Sequence, residues 1–145
     1  ADSPLDFDLE LAKQKTNDNP VYYVQYVHAR IASIMGKARE QGLDPEVPAN
    51  DDALAMIGAP EEIDLVKLLD RYPEMLVRSA ALMEPHRVTY FLMELASAFH
   101  TYYNKHKVLG EDARLTSGRL YLVRAVQKVI RNGLQLLGVS APNRM

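Results

Sequence analysis

Apolar side chains recur every three or four positions along most of the chain, which is the period of an amphipathic α-helix. The clearest stripe lies near the end of the sequence and consists of Leu122, Val123, Val126, Val129, Ile130, Leu134 and Leu137. A second stripe consists of Val88, Phe91, Leu92, Leu95, Ala96 and Phe99. No segment shows the sustained alternation of a half-buried strand. The pattern therefore predicts an all-α fold, a helical bundle of about five to six helices.

Proline, glycine and capping residues predict where these helices begin and end. The major helices are expected over residues 20–41, 60–72, 73–84, 85–106 and 111–137, with a short helix near 5–12 and a short helical tract over 51–56. Asn19 is placed to cap the helix that starts at Pro20, and Gly42 and Gly138 are placed to end helices. Pro73 is expected to start a helix of its own. Gly133 lies on the buried side of the last helix, where it would permit the close approach of another backbone.

Composition and charge narrow the possible partners. The 145 residues suffice for one domain with a real core, and 48% of them are apolar. There is no cysteine, which excludes disulfides, and no run of about 18 apolar residues, so no membrane span is expected. The net charge of −2 hides a gradient, since residues 1–74 hold 15 acidic and 7 basic residues and residues 75–145 hold 4 and 10. This gradient indicates either a polyanion bound by the second half or mutual neutralisation of the halves across the bundle.

Catalytic motifs are absent from the sequence. It contains no Gly-rich phosphate loop, no Gly-x-Ser-x-Gly and no His-Glu-x-x-His. His100 and His106 stand six positions apart, so they would point to different sides of a helix and make a poor chelating pair. The acidic pairs are Asp51-Asp52, Glu61-Glu62 and Glu111-Asp112. All three stand at predicted helix starts, where the helix dipole and free N–H groups explain them. The chain is therefore not expected to be an enzyme by itself.

Three groups of aromatic and basic residues remain as candidate chemistry. In the helix that starts at Pro20, one face is expected to carry Tyr22, Tyr23, Tyr26 and Arg30. Near the end of the helix over 85–106 stand Phe99, His100, Tyr102, Tyr103, Lys105, His106 and Lys107. The last helix carries a basic stripe of Arg124, Lys128 and Arg131. Tyrosines stacked on unpaired bases, with cations on phosphates, are typical of single-stranded RNA binding. The same residues also fit core packing and a solvated helix face.

Three long blocks of the sequence resemble arginyl-tRNA synthetases in order and spacing. They are Asn19-Pro20-Val21-Tyr22-Tyr23-Val24-Gln25-Tyr26-Val27-His28-Ala29-Arg30-Ile31, the stretch from Glu84-Pro85-His86-Arg87-Val88 to Tyr103, and the stretch from Arg119-Leu120 to the tail Ala141-Pro142-Asn143-Arg144-Met145. One family variant commonly has Ala in place of Val27 and Glu in place of Asn143. The Asp-Ala-Leu-Arg motif of the family does not occur literally, and its nearest counterpart is Asp112-Ala113-Arg114-Leu115.

The resemblance implies that residues 19–145 form the carboxy-terminal, helical anticodon-binding domain of a bacterial-type class I synthetase. Residues 1–18 would be the end of the junction with a catalytic domain that this sequence lacks. The domain itself would have no catalytic residues, cofactor or metal, whereas the parent enzyme would attach arginine to tRNA with ATP and magnesium. The implied partners are the anticodon stem-loop of tRNA(Arg) and the parent's catalytic domain, without membrane or DNA, in a cytoplasmic monomer.

The resemblance also implicates individual residues in holding the anticodon loop. Tyr23, Tyr26 and Tyr103 would stack on splayed bases, as recognition of single-stranded RNA normally requires. Arg30 would pair with a phosphate or a base edge. The carboxylate of Met145 would accept a hydrogen bond from a cytosine amino group, since arginine anticodons share a central cytosine.

Arg124 and Lys128, from the basic stripe, complete the expected RNA-binding set. The RNA surface is expected to draw mainly on residues 78–145 together with the Tyr23–Arg30 face, while Tyr22 is expected to pack. An alternative from another class is a helical protein–protein interaction module, whose aromatic face would dock a partner helix or domain.

Overall fold

The structure, a computed structural model, describes residues 19–145 and consists there of helices without strands. The helices are α1 Pro20–Glu40, α2 Asp51–Leu54, α3 Pro60–Ala81, α4 His86–Lys105 and α5 Ala113–Leu136. The all-α fold predicted from the periodicity is confirmed. The short helix predicted near residues 5–12 and the 1–18 junction lie outside the described residues.

The helix ends follow the capping residues of the sequence. The Asn19 side chain accepts hydrogen bonds from the backbone N–H groups at the start of α1, and the Asp112 side chain does the same for α5. Gly42 and Gly138 follow the two helices with positive φ angles of 82° and 73°, which glycine adopts at little cost.

The predicted helix boundary at Pro73 is wrong, because α3 continues through this proline. Proline removes one backbone hydrogen bond from a helix interior, at a cost of about 3 kcal/mol. The preceding residue, Tyr72, is buried; its ring lies 5.3 Å from that of Phe91 and its hydroxyl donates to the Asn132 side chain. These contacts with α4 and α5 hold Tyr72 in place within the helix, although the helical conformation is disfavoured for a residue before proline.

The helices α4 and α5 pack against each other, and each of them also packs against α1 and α3. The core is therefore formed by the sides of these four helices that face one another. Its largest fully buried members include Tyr102, Phe99, Ile31, Leu65, Leu92 and Leu95. Gly133 does permit a close approach, but of a side chain: a Cβ there would lie 2.7 Å from Leu92 Cδ2. The close backbone contact is at Gly118, where a Cβ would lie 2.7 Å from the Ala53 carbonyl oxygen.

Gly118→Ala is expected to lower the free energy of unfolding by about 1–3 kcal/mol, because α2 must move to accept the methyl group. Gly36→Ala serves as its control: a Cβ at this helical position meets nothing within 4 Å. That substitution is expected to raise the free energy of unfolding by about 0.5–1 kcal/mol. Urea unfolding of both variants measures the difference, and shifts of the same sign would contradict the packing of α2 on α5.

Candidate nucleic-acid interface

An arginine from α1 lies between two tyrosine rings, one on each side of the α1–α4 contact. The guanidinium carbon of Arg30 is 4.9 Å from the centroid of the Tyr26 ring and 4.5 Å from that of Tyr103. Arg30 also donates a hydrogen bond to the Tyr26 hydroxyl. Cation–π contacts of this kind are worth about 0.5–2 kcal/mol each. The three side chains therefore hold one another in place before any ligand arrives.

These side chains line a groove of about 410 Å³, here called the aromatic groove. Its lining consists of Tyr26, Ala29, Arg30, Ser33, Ile34, Lys37, Tyr103, Asn143, Arg144 and Met145. The structure thus brings together Tyr26, Arg30, Tyr103 and Met145, which come from distant parts of the chain and which the family resemblance implicates in one site. A groove of this size suits a small ligand or one unit of a polymer.

The carboxy-terminal tail reaches this groove because α1 anchors it. The Gln25 side chain donates to the Ser140 carbonyl oxygen at 2.8 Å, and His28 Nδ1 lies 2.9 Å from the Pro142 carbonyl oxygen. Arg131 Nε lies 3.2 Å from His28 Nε2 and can only donate, so Nε2 accepts and Nδ1 carries the proton. His28 is fully buried, and burial, assisted by the Arg131 charge, lowers its pKa against the opposing effect of the bond to Pro142. The neutral imidazole therefore ties the tail to α1.

Tyr23 lies behind the groove rather than in its lining. Its ring is 5.0 Å from that of His100, which in turn stacks on Tyr26 at 6.1 Å. Burial, and secondarily the Arg30 charge, lower the pKa of His100, so this imidazole is neutral near pH 7. Tyr22 stacks on Tyr26 with ring centroids 6.4 Å apart. Tyr23 and Tyr22 thus support Tyr26, and a direct contact of Tyr23 with RNA stays a prediction.

Arg124 and Lys128 are not brought to the aromatic groove. Arg124 donates to the carbonyl oxygens of Pro45 and Glu46, and its guanidinium lies 5.7 Å from the Tyr121 ring. This arginine therefore holds the loop between α1 and α2. Lys128 is exposed on α5. The part of both residues in RNA binding stays a prediction.

A second groove, of about 670 Å³, adjoins the first and is here called the basic groove. The two grooves share Ser33, Lys37, Asn143 and Arg144. The basic groove also contains the cations Arg39 and Arg131 and the carboxylates Glu40 and Glu46, of which Glu46 pairs with Arg39 at 3.2 Å. The basic groove is thus lined by more cations than carboxylates.

Comparison with known proteins decides the family. The model of the DALR anticodon binding domain matches residues 24–145. The chain belongs to this family. The similarity to synthetases noted in the sequence is thereby confirmed at the level of the domain.

Relatives of the DALR domain in this chain are arginine–tRNA ligases. The enzyme of Desulfosudis oleivorans is 63% identical over 145 residues, covering 99% of this chain and 26% of the relative. That of Geobacter metallireducens is 53% identical, covering 99% of this chain and 25% of the relative. The chain thus spans about a quarter of the length of these curated relatives.

Solved structures show the same fold. A putative arginyl tRNA synthetase from Campylobacter jejuni matches with a TM-score of 0.75 and 26% identity, over 99% of this chain and 30% of its own. The arginyl-tRNA synthetase of Thermus thermophilus matches with a TM-score of 0.74 and 31% identity, over 92% of this chain and 22% of its own.

Several residues of the DALR domain's grooves were not expected from the sequence. Lys37 and Arg39 line the grooves although they belong to the acidic half of the chain. In the sequence they resemble ordinary basic residues in the last turn of a helix, where the dipole alone explains them. His28 gave no signal either, because its partners Pro142 and Arg131 are more than 100 positions away.

Two further properties concern the described part of the DALR domain. None of the helices within residues 19–145 is long and apolar enough to cross a membrane. Over the same range, no three His, Cys, Asp or Glu side chains cluster closely enough to hold a metal ion.

Proposed function

We propose that this DALR domain binds the anticodon loop of tRNA(Arg) and reads its central cytosine. The observation that carries the proposal is the aromatic groove, in which Arg30 lies between the rings of Tyr26 and Tyr103 and the tail closes one side. Membership of an anticodon-binding family supports it. Stacking on an aromatic ring contributes about 1–3 kcal/mol per base. Because Arg30 occupies the space between the two rings, an unpaired base stacks on the side of this group that faces the groove and not between the rings.

In this proposal each lining residue has a distinct task. Tyr26 and Tyr103 stack on bases, while Arg30 donates hydrogen bonds to a base edge or a phosphate. A main-chain oxygen of Met145 accepts a hydrogen bond from the cytosine amino group, which uracil lacks. His28 acts indirectly, since it fixes the tail that carries Met145. The cations of the basic groove, Arg131 among them, neutralise phosphates of the loop.

We further propose that the domain is part of an arginine–tRNA ligase, as the relatives are. Residues 1–18 would then join it to the catalytic domain, which would use ATP and magnesium to attach arginine to tRNA in the cytoplasm. The domain would act within a monomeric enzyme. No observation specifically favours the alternative of a protein-docking module, whereas membership of an anticodon-binding family favours RNA.

Titration with the anticodon stem-loop of tRNA(Arg), over a series of salt concentrations, tests the proposal. The logarithm of the affinity is expected to fall with the logarithm of salt with a slope of about −2 to −3, as for three to four phosphates contacted on single-stranded RNA. A blunt duplex of the same stem, without the loop, is expected to bind much more weakly. Absence of binding at low salt, or equal binding of the duplex, would rule the proposal out.

A further inference from the structure

The basic groove contains an anion of the protein itself in contact with one of its cations. Glu46 belongs to the loop between α1 and α2, and its Oε1 accepts a hydrogen bond from Arg39 Nη2 at 3.2 Å. The other oxygen of the same carboxylate, Oε2, lies 3.8 Å from Arg124 Nε. The carboxylate therefore lies between two guanidinium groups, one from the last turn of α1 and one from α5.

The two arginines differ in how far they depend on this carboxylate. The Arg124 side chain is only 14% exposed, and it donates to the main-chain carbonyl oxygens of Pro45 and Glu46. Those bonds do not involve the carboxylate and persist if it moves. Arg39 is 55% exposed, and within residues 19–145 its guanidinium pairs with no carboxylate other than that of Glu46. Movement of this one side chain would therefore leave the Arg39 charge available to another anion.

The contact between Arg39 and Glu46 is of the kind that exchanges easily. Both side chains are more than half exposed, and ion pairs between exposed groups are weak. The pair has one hydrogen bond rather than the two parallel bonds that make arginine–carboxylate pairs strong. The main chain of Glu46 is held separately, since its N–H donates to Asp44 Oδ1 at 3.0 Å and its carbonyl oxygen accepts from Arg124. The carboxylate can therefore rotate without release of the loop.

We propose that Glu46 competes with RNA for Arg39: its carboxylate pairs with Arg39 in the free domain and turns to Arg124 when a phosphate of the RNA loop binds. The inference rests on the proposed function, because the phosphate belongs to an RNA already held in the aromatic groove. The two grooves share Ser33 and Lys37, so a base bound in one brings its phosphates to the other at high effective concentration. Phosphate and carboxylate carry like charges, and binding of one to Arg39 therefore displaces the other.

The Kd of the Glu46→Gln variant of the 145-residue chain for the tRNA(Arg) anticodon stem-loop tests this inference. Glutamine keeps the size of the side chain but removes the charge that competes with phosphate. Glu40→Gln is the matched control, since Glu40 lines the same groove and its substitution changes the net charge equally. Within residues 19–145, Glu40 has no cation within 4.0 Å. Arg39→Gln, alone and combined with Glu46→Gln, completes a double-mutant cycle.

Glu46→Gln is expected to bind the stem-loop about two- to fivefold more tightly than Glu40→Gln at low salt, as removal of a weak competing ion pair predicts. In the Arg39→Gln background this advantage is expected to disappear, because the competition has lost its object. The melting temperatures of the two glutamate variants are expected to agree within a few degrees, since the main-chain contacts of the loop remain.

Three results would overturn the inference and leave the proposed function intact. They are equal binding by the two glutamate variants, weaker binding by Glu46→Gln than by Glu40→Gln, and an advantage of Glu46→Gln that persists without Arg39. If the parent chain does not bind the stem-loop at low salt, both the inference and the proposed function are wrong.

Discussion

Replacing Tyr103 with alanine is expected to weaken binding of the tRNA(Arg) anticodon stem-loop by about 10- to 100-fold. The ring lines the aromatic groove and is one of the two rings that enclose Arg30. Its removal takes away a stacking surface worth about 1–3 kcal/mol and frees the Arg30 side chain to sample other rotamers. Equilibrium binding by fluorescence anisotropy measures the change.

Two variants control for indirect effects of this substitution. Tyr103→Phe keeps the ring and is expected to bind within a few-fold of the parent chain. Tyr90→Ala removes a half-exposed tyrosine that contacts His86 outside the grooves and is expected to leave RNA binding unchanged. Circular dichroism should show nearly unchanged helix content and melting for Tyr103→Ala. If that variant unfolds, Tyr103 is a core residue and its assignment to the RNA site fails.

Glu62→Ala is expected to lower the free energy of unfolding by about 3–5 kcal/mol, which is typical of breaking a buried ion pair by removing one partner. The carboxylate accepts hydrogen bonds from the backbone N–H groups of Gly58 and Ala59, from Arg119 and from the Tyr102 hydroxyl. All of these donors lose their partner at once. The melting temperature is expected to fall by about 10 °C or more.

The same carboxylate links stability to pH. Burial alone would raise the pKa of Glu62, but the bonds from Ala59, Arg119 and Gly58 outweigh it, and the pKa is lowered. Its stabilising contribution is therefore complete above the unfolded pKa near 4.3 and is lost as the pH falls through the lower folded value. Glu74→Ala, at an exposed position of the same helix, is the control and should change stability by less than about 0.5 kcal/mol. Equal effects of the two substitutions would contradict the buried network.

The helices themselves follow from the sequence, and the exception at Pro73 has a physical cause. The spacing of apolar residues and the capping residues predict the ends of α1, α4 and α5 to within two residues, because both signals are local in sequence. At Pro73 the tendency of proline to end a helix is outweighed by the contacts of Tyr72 with Phe91 and Asn132. Asn132 lies 60 positions after Tyr72 in the sequence. No single-sequence rule contains those contacts.

Glu62 shows a second limit of sequence reasoning. An acidic residue in the first turn of a helix is adequately explained by the helix dipole. Nothing local indicates that this carboxylate is buried and paired with Arg119, 57 positions further on. Its neighbour Glu61 gives the same sequence signal and yet pairs with His106 near the surface.

The family resemblance names four residues that come to line one groove, and their part in RNA binding stays a prediction. Nothing in the sequence indicates the contacts that anchor that groove. Tyr26, Arg30, Tyr103 and Met145 do meet in one groove. Arg124 was expected at the RNA surface from its place in the basic stripe, and the structure shows it donating to the carbonyl oxygens of Pro45 and Glu46 away from the aromatic groove. Its part in RNA binding stays a prediction. Periodicity predicts which face of a helix a residue occupies. Which residues of another helix or loop it contacts depends on how the loops bring the helices together, and periodicity does not show this.

The central claim is that the aromatic groove reads the middle base of an arginine anticodon. Its most direct measurement is the ratio of Kd values for two stem-loops that differ only in cytosine or uracil at that position, at constant salt. Uracil is expected to weaken binding by about tenfold or more, because it offers a carbonyl oxygen where Met145 needs an amino donor. Equal affinities, within twofold, would contradict the assignment of the groove.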